Sequence, residues 1–156
     1  MTEEGNRQQA IGNSSERITR ADIIAEARSW MMTPYRHQGR LKGIAADCAG
    51  PIVCIPRALG ILPPTFDING YPREGDWPRM KRYLDAHLDR VLPALPRGGD
   101  VLWLRPTVYP RHLAIYTFEN TIIHAIDVAR GVCEHILDER WRRSIAGVWR
   151  YRGVTD

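Results

Sequence analysis

The residues whose types and spacing suit chemistry are one cysteine and two histidines. Cys48 closes the stretch 33–50, TPYRHQGRLKGIAADCAG, where the apolar run PIVCIPRALG begins. A thiol at a helix start sits at the positive end of the backbone dipole, which favours the thiolate. His112 and His124 stand twelve residues apart on segments that read as paired strands. Thiolate attack on an amide needs a nucleophile, a proton shuttle, a group that orients the shuttle, and donors for the oxyanion. Cys48 supplies the first, and His112 at a strand start supplies the second. His124 lies in the apolar segment TIIHAI, where a histidine requires a polar partner, and is read as the orienting group. The Cys48 backbone N–H and the Tyr35 hydroxyl are the candidate oxyanion donors. This set reads as a cysteine hydrolase needing no cofactor or metal. The same three side chains are also a donor set for zinc with one open position. Taken singly, a free cysteine is most often a small core residue, which is the reading for Cys54 and Cys133.

Strand pairing decides whether the histidines can meet. Side chains alternate faces with period two. A two-residue turn at Glu119 and Asn120 puts His112 and His124 on opposite faces. A three-residue loop (Phe118, Glu119, Asn120) pairs Thr117 with Thr121 and Ala114 with His124. Both imidazoles then share a face as diagonal neighbours, roughly 7–8 Å apart at Cα level. Such loops place a residue of positive φ last, which suits Asn120. The hydrolase reading demands that loop or a bulge.

The elements that must hold these residues follow in chain order. Residues 1–16 read as a disordered polar tail and 17–153 as one domain. Thr19 opens a helix with Asp22 as its capping-box partner, and Ile23, Ile24, Ala27, Trp30 and Met31 share its buried face. Pro34 stops it, and 35–46 is an irregular loop wrapping toward Cys48. A second helix runs from Cys48 to about Leu59 and is closed by Gly60; Pro56 frees a carbonyl and bends or shortens it. Asp76 caps a third helix, whose apolar stripe extends through Met80, Leu84 and Leu88 to Val91. Strands are expected over 100–104, 112–117, 121–126, 131–137 and 145–151, with a helical turn at 139–143. Helices first and strands after give an α+β domain with an antiparallel sheet.

The chain's 156 residues are 44% hydrophobic and 26% charged, with a net charge of +4, as in an ordinary globule. The arginines are scattered, so a solvated surface is expected and not a nucleic-acid groove. No apolar run approaches a membrane span, and the polar start lacks the apolar core of a signal peptide. The three cysteines include no CxxC pair. Cys48 and Cys54 on one helix would be roughly 9 Å apart, too far to bridge, so free thiols are expected.

Taken together, TPYRHQGR…DCAG, GDVLWLR…HLAIYTFENTIIHA and ERWRR…GVWRYR resemble the NlpC family of cell-wall cysteine peptidases, and most of all the branch found in phage tails and gene transfer agents. The resemblance covers about residues 19–151. It implies a papain-like α+β fold and hydrolysis of peptide bonds in peptidoglycan stem peptides. It assigns Cys48 as nucleophile, His112 as base, His124 as third polar residue and Tyr35 beside the oxyanion. Asp47 matches the aspartate that holds the substrate's amine, and His37 is a candidate lining residue of the cleft. Expected partners are stem peptides and other phage-like tail proteins, with neither nucleic acid nor membrane insertion. The expected location is a particle tail, after synthesis in the cytoplasm. The competing reading is an inert tail-tip or wall-binding subunit of the same fold. Two departures stand out: Ala49 occupies a position where the family often has serine, and Pro56 interrupts a helix usually free of proline.

Overall fold

The computed structural model describes residues 17–107 and 112–156; the polar tail expected over residues 1–16 lies outside the described residues. Helix α1 (Arg20–Arg28) begins with the expected capping box, its Thr19 Oγ1 accepting from Asp22 N at 3.2 Å and Asp22 Oδ2 accepting from Thr19 N at 2.8 Å. It ends earlier than its apolar spacing implies. Trp30 reaches the core from the turn that follows, while Met31 is exposed there. The stretch expected to be irregular contains a small hairpin, β1 (Arg40–Leu41) with β2 (Ala45–Ala46). Two-residue strands are too short to show the alternation by which strands are read.

Helix α2 (Ala49–Ala58) has Cys48 as its N-cap residue and continues past Pro56. A proline has no N–H to give to the carbonyl four residues back, here that of Ile52. The Tyr151 hydroxyl fills that role from across the core, donating to Ile52 O at 2.9 Å. Helix α3 (Trp77–His87) is capped by Asp76, whose carboxylate accepts from Arg79 N at 3.1 Å. The helix stops four residues short of the end of its expected stripe at Val91. Leu88–Arg90 instead form strand β3, because the edge of the sheet offers those backbone groups partners.

The remaining strands are β4 (Val101–Leu104), β5 (His112–Tyr116), β6 (Thr121–Ile126), β7 (Gly131–Ile136) and β8 (Ile145–Tyr151), with the short α4 (Glu139–Arg143) before the last. They form one antiparallel sheet in the order β3-β8-β4-β5-β6-β7. One face carries Val101, Trp103, Leu113, Ile115 and Trp149 against α1, α2 and α3. The other carries Leu102, Leu104, Ala114, Ile122 and Val148 beneath Trp141 of α4. Burial on both faces explains why these strands read as continuous apolar runs. Among the described residues no helix is long and apolar enough to cross a membrane.

A buried ion cluster ties α1 to the sheet. Fully buried Asp100 accepts from Arg20 Nη1 at 3.0 Å, from Arg150 Nε and Nη2 at 2.9 and 2.8 Å, and from Arg97 N at 2.9 Å. Each lone pair is matched, the condition under which a buried carboxylate is tolerated.

The α2 proline makes a specific demand on Tyr151. We expect Tyr151→Phe to cost roughly 1–3 kcal/mol in denaturant unfolding, since it strands a buried carbonyl. In a Pro56→Ala background, where residue 56 regains an N–H for Ile52, the same change should cost clearly less.

Candidate active site

The Cys48 sulfur lies at the junction of α2 and the sheet. Its position is set largely by Asp47, a carboxylate only 2% exposed. Asp47 Oδ1 accepts from Ala49 N, Gly50 N and Arg40 Nη1, each at 3.1 Å. Its Oδ2 accepts from Gln38 N at 2.7 Å and the Tyr71 hydroxyl at 2.6 Å. Asp47 therefore caps α2 and pins that helix end to the β1–β2 region and to the Tyr71 loop. Gly50 permits the close fit: a Cβ there would stand 2.8 Å from the Gly39 carbonyl oxygen.

Tyr35 is brought in by the chain entering the hairpin. Ala46 N donates to Pro34 O and Arg36 N to Ala46 O, both at 2.9 Å, while Tyr35 N donates to Arg130 O at 3.0 Å. The segment is thus held between β2 and the start of β7. Tyr35, His37, Asp47, Cys48 and His112 line one cleft of about 220 Å³. His37 contacts Tyr71 edge-on, its Nε2 3.1 Å from Tyr71 O. Trp77, Arg73 and Asp127 complete the walls.

The hairpin adopts the odd loop. Thr117 N donates to Thr121 O at 3.0 Å, Ile115 faces Ile123, and Asn120 has φ +57°. His112 and His124 fall on one face, with His112 Nε2 2.6 Å from His124 Nδ1. The two-residue alternative is excluded, and His124 has the polar partner its apolar surroundings require. The expected strand residue 117 lies just beyond β5 and makes the loop bonds instead.

Electrostatics differ from the expectation of a lowered thiol pKa. Burial, and then the Asp47 charge, push the Cys48 thiol up to about 12, against the opposing pull of the Leu113 and Cys48 backbone N–H groups. Burial lowers His112 to about 4, aided by His135, and lowers His124 to about 2, aided by His112 and His135. The resting site thus holds a neutral thiol beside a neutral imidazole. The helix-end field does not overcome desolvation. Burial first, then Cys48 and Asp47, raise the Tyr35 phenol, so its hydroxyl keeps its proton and can donate.

Three residues that matter here carry no clear signal in the sequence. Tyr71 and Arg40, which complete the Asp47 cluster, sit in a turn-rich loop and a two-residue strand. His135 on β7 places its Nε2 2.8 Å from His124 Nε2. Its one sequence signal is the period of two along that strand, which puts Cys133 and His135 on one face. Among the described residues no group of three or more His, Cys, Asp or Glu side chains is arranged to hold a metal ion.

No family model and no curated protein matches the sequence. Solved structures do. The NlpC/p60 domain of the peptidoglycan hydrolase SagA is similar at TM-score 0.59 and 19% identity, over 85% of this chain and 98% of that one. An NlpC/P60 family protein from Bacillus cereus ATCC 10987 is similar at TM-score 0.62 and 22% identity, over 85% of this chain. The chain has an NlpC/P60 fold. The peptidoglycan hydrolase RipB from Mycobacterium tuberculosis is similar at TM-score 0.56 and 21% identity, over 84% of this chain and 63% of that one. The region matched to the Bacillus protein is 40% of that protein's length.

Buried neutral histidines make stability depend on pH. Their folded pKa values lie below the unfolded value near 6.5, so the unfolded chain binds more protons as pH falls through that window. The stabilisation is complete above about pH 6.5 and is lost as pH falls toward 4 for His112 and toward 2 for His124. Urea unfolding at pH 5 should give a stability lower than at pH 7 by roughly 2 kcal/mol or more. Equal stabilities would contradict burial of neutral rings.

Proposed function

We propose that the protein is a cysteine peptidase that hydrolyses peptide bonds in peptidoglycan stem peptides. The observation that carries this reading is the shared cleft of Cys48 and His112, with His124 bonded behind His112 at 2.6 Å. In this reading a bound carbonyl is attacked by Cys48 as its proton passes to His112. Because both groups rest neutral, ionisation accompanies attack and does not precede it. The oxyanion is met by the Cys48 N–H and the Tyr35 hydroxyl. His112 then protonates the leaving amine, and water attacks the thioester in the second half-reaction.

The cleft's charges suit such a substrate. Arg73 offers a cation for a free carboxylate, while Asp127 and Asp47 give a field that favours an amine. Asp47, already holding five donors, acts on that amine chiefly through its charge. His37 lines the same wall. The peptidoglycan hydrolase domains among the structural neighbours favour wall peptides over other amides. The sequence resemblance to tail-associated members supports a component of a phage-like tail or gene transfer agent. It would be made in the producing cell, assembled with other tail proteins, and act on the target cell's wall.

The test is hydrolysis of purified peptidoglycan, read by mass analysis of the released muropeptides. The intact protein should release cleaved stem peptides. Cys48→Ala should remain folded and lose release by a factor of 10³ or more, in line with loss of a covalent nucleophile. Retained release in that variant would sink the proposal. An inactive intact protein whose Cys48 alkylates no faster than an ordinary thiol would favour the inert wall-binding subunit.

A further inference from the structure

The hydrogen bonds behind His112 do not stop at His124. His112 Nε2 meets His124 Nδ1 at 2.6 Å, His124 Nε2 meets His135 Nε2 at 2.8 Å, and His135 Nδ1 meets the Ile136 carbonyl at 2.9 Å. Trp141 of α4 lies against all three rings, with centroids 6.1, 5.3 and 5.5 Å away. The row runs from the cleft, through a ring 1% exposed, to a half-buried ring near the surface.

Such a row has only one consistent arrangement of protons when its rings are neutral. A carbonyl only accepts, so His135 Nδ1 carries the hydrogen and its Nε2 is a lone pair. His124 must then donate from Nε2 and accept at Nδ1. His112 must in turn donate from Nε2. That leaves His112 Nδ1 as a lone pair, the one nitrogen not committed to the row and the one able to take a proton in the cleft.

We propose that His135 is a positioning residue for catalysis: anchored on the Ile136 carbonyl, it fixes through His124 which nitrogen of His112 serves as the base. This rests on the proposed peptidase reading only for its effect on hydrolysis. In the chemical step the Cys48 S–H bond breaks and a His112 Nδ1–H bond forms. The row stays donating outward, so the imidazolium's second proton remains shared with His124. On collapse of the tetrahedral intermediate, that Nδ1 proton passes to the leaving amine and the lone pair returns.

The same geometry makes acid a switch. His112 Nδ1 is the row's one uncommitted lone pair, so an added proton enters there, from the cleft. Shifting each shared proton outward then leaves His124 donating from Nδ1 and His135 donating from both nitrogens. The base stays blocked as an N–H while the charge rests on His135. His124 and His112 are the titratable groups reached along the row, and the α4 element facing His135 presents the uncharged Trp141 ring. Cys133 shares the β7 face opposite His124, and Glu134 turns to the other face, where Arg28 and Thr121 hold it.

The experiment is nitrogen-15 NMR of the histidine-labelled full-length protein, with Cys48 alkylation rate against pH as a second readout. In the intact protein near neutral pH, His112 and His124 should show the Nε2–H tautomer and His135 the Nδ1–H tautomer. His135→Leu should give a mixture of tautomers at His112 and slow alkylation about tenfold or more. His135→Gln, whose side-chain oxygen still accepts from His124, should restore the Nε2–H tautomer at His112. It should also move the acidic limb of the alkylation profile to lower pH. A His112 that keeps one tautomer in a folded His135→Leu protein, or a Gln variant no different from Leu, would overturn the proposal. Both readouts are independent of wall hydrolysis, so an inactive protein would defeat the peptidase reading and leave this test intact.

Discussion

The structure depends on a single buried carboxylate. Asp47 is where the helix that starts beside the sulfur, the small hairpin before it and the Tyr71 loop after it are joined. A carboxylate removed from water is held only if donors surround it. Here those donors come from three separate stretches of chain, so satisfying one charge fixes three pieces relative to each other. The cost of burying Asp47 is thereby converted into placement of the thiol. Burial first, and then its charge, keep that thiol protonated, so the scaffold that positions the sulfur also restrains it.

A second constraint acts from the opposite wall. The β5–β6 hairpin could have turned in two residues or three, and only the longer loop brings the two imidazoles to one face. Asn120 in a left-handed conformation, with the Thr117 and Thr121 hydroxyls 2.6 Å apart, locks that choice. Register errors in a strand reverse every side chain, so this turn governs the site more than any residue within it. The neutral resting state follows from the same burial, which disfavours separated charges on sulfur and imidazole.

Much of the fold was legible in the chain because its local signals are strong. The Thr19 capping box, Asp76 before Pro78, the apolar runs of β4 to β6 and the Asn at the hairpin each point to the element found. The failures are of two kinds. Short elements such as β1, β2 and β3 are too brief for any periodicity, and exist because neighbouring backbone needs partners. The end of α3 was overrun because its apolar spacing continues into residues the sheet claims. Pro56 shows a further limit: a local rule foretold the freed carbonyl, but its acceptance by Tyr151, 95 residues later, is a contact between distant segments.

Sequence alone determined the types and order of the side chains that cluster at the cleft, since Cys48, His112 and His124 stand out by residue type, spacing and the turn between the histidines. Tertiary structure alone decided the protonation of that set and its outer support. Burial, which no spacing encodes, sets the thiol and imidazoles neutral. His135 and Tyr71 join the site only because folding brings β7 and an irregular loop against it. Local chemistry is written along the chain, whereas desolvation and long-range hydrogen bonds exist only once distant segments have closed around one another.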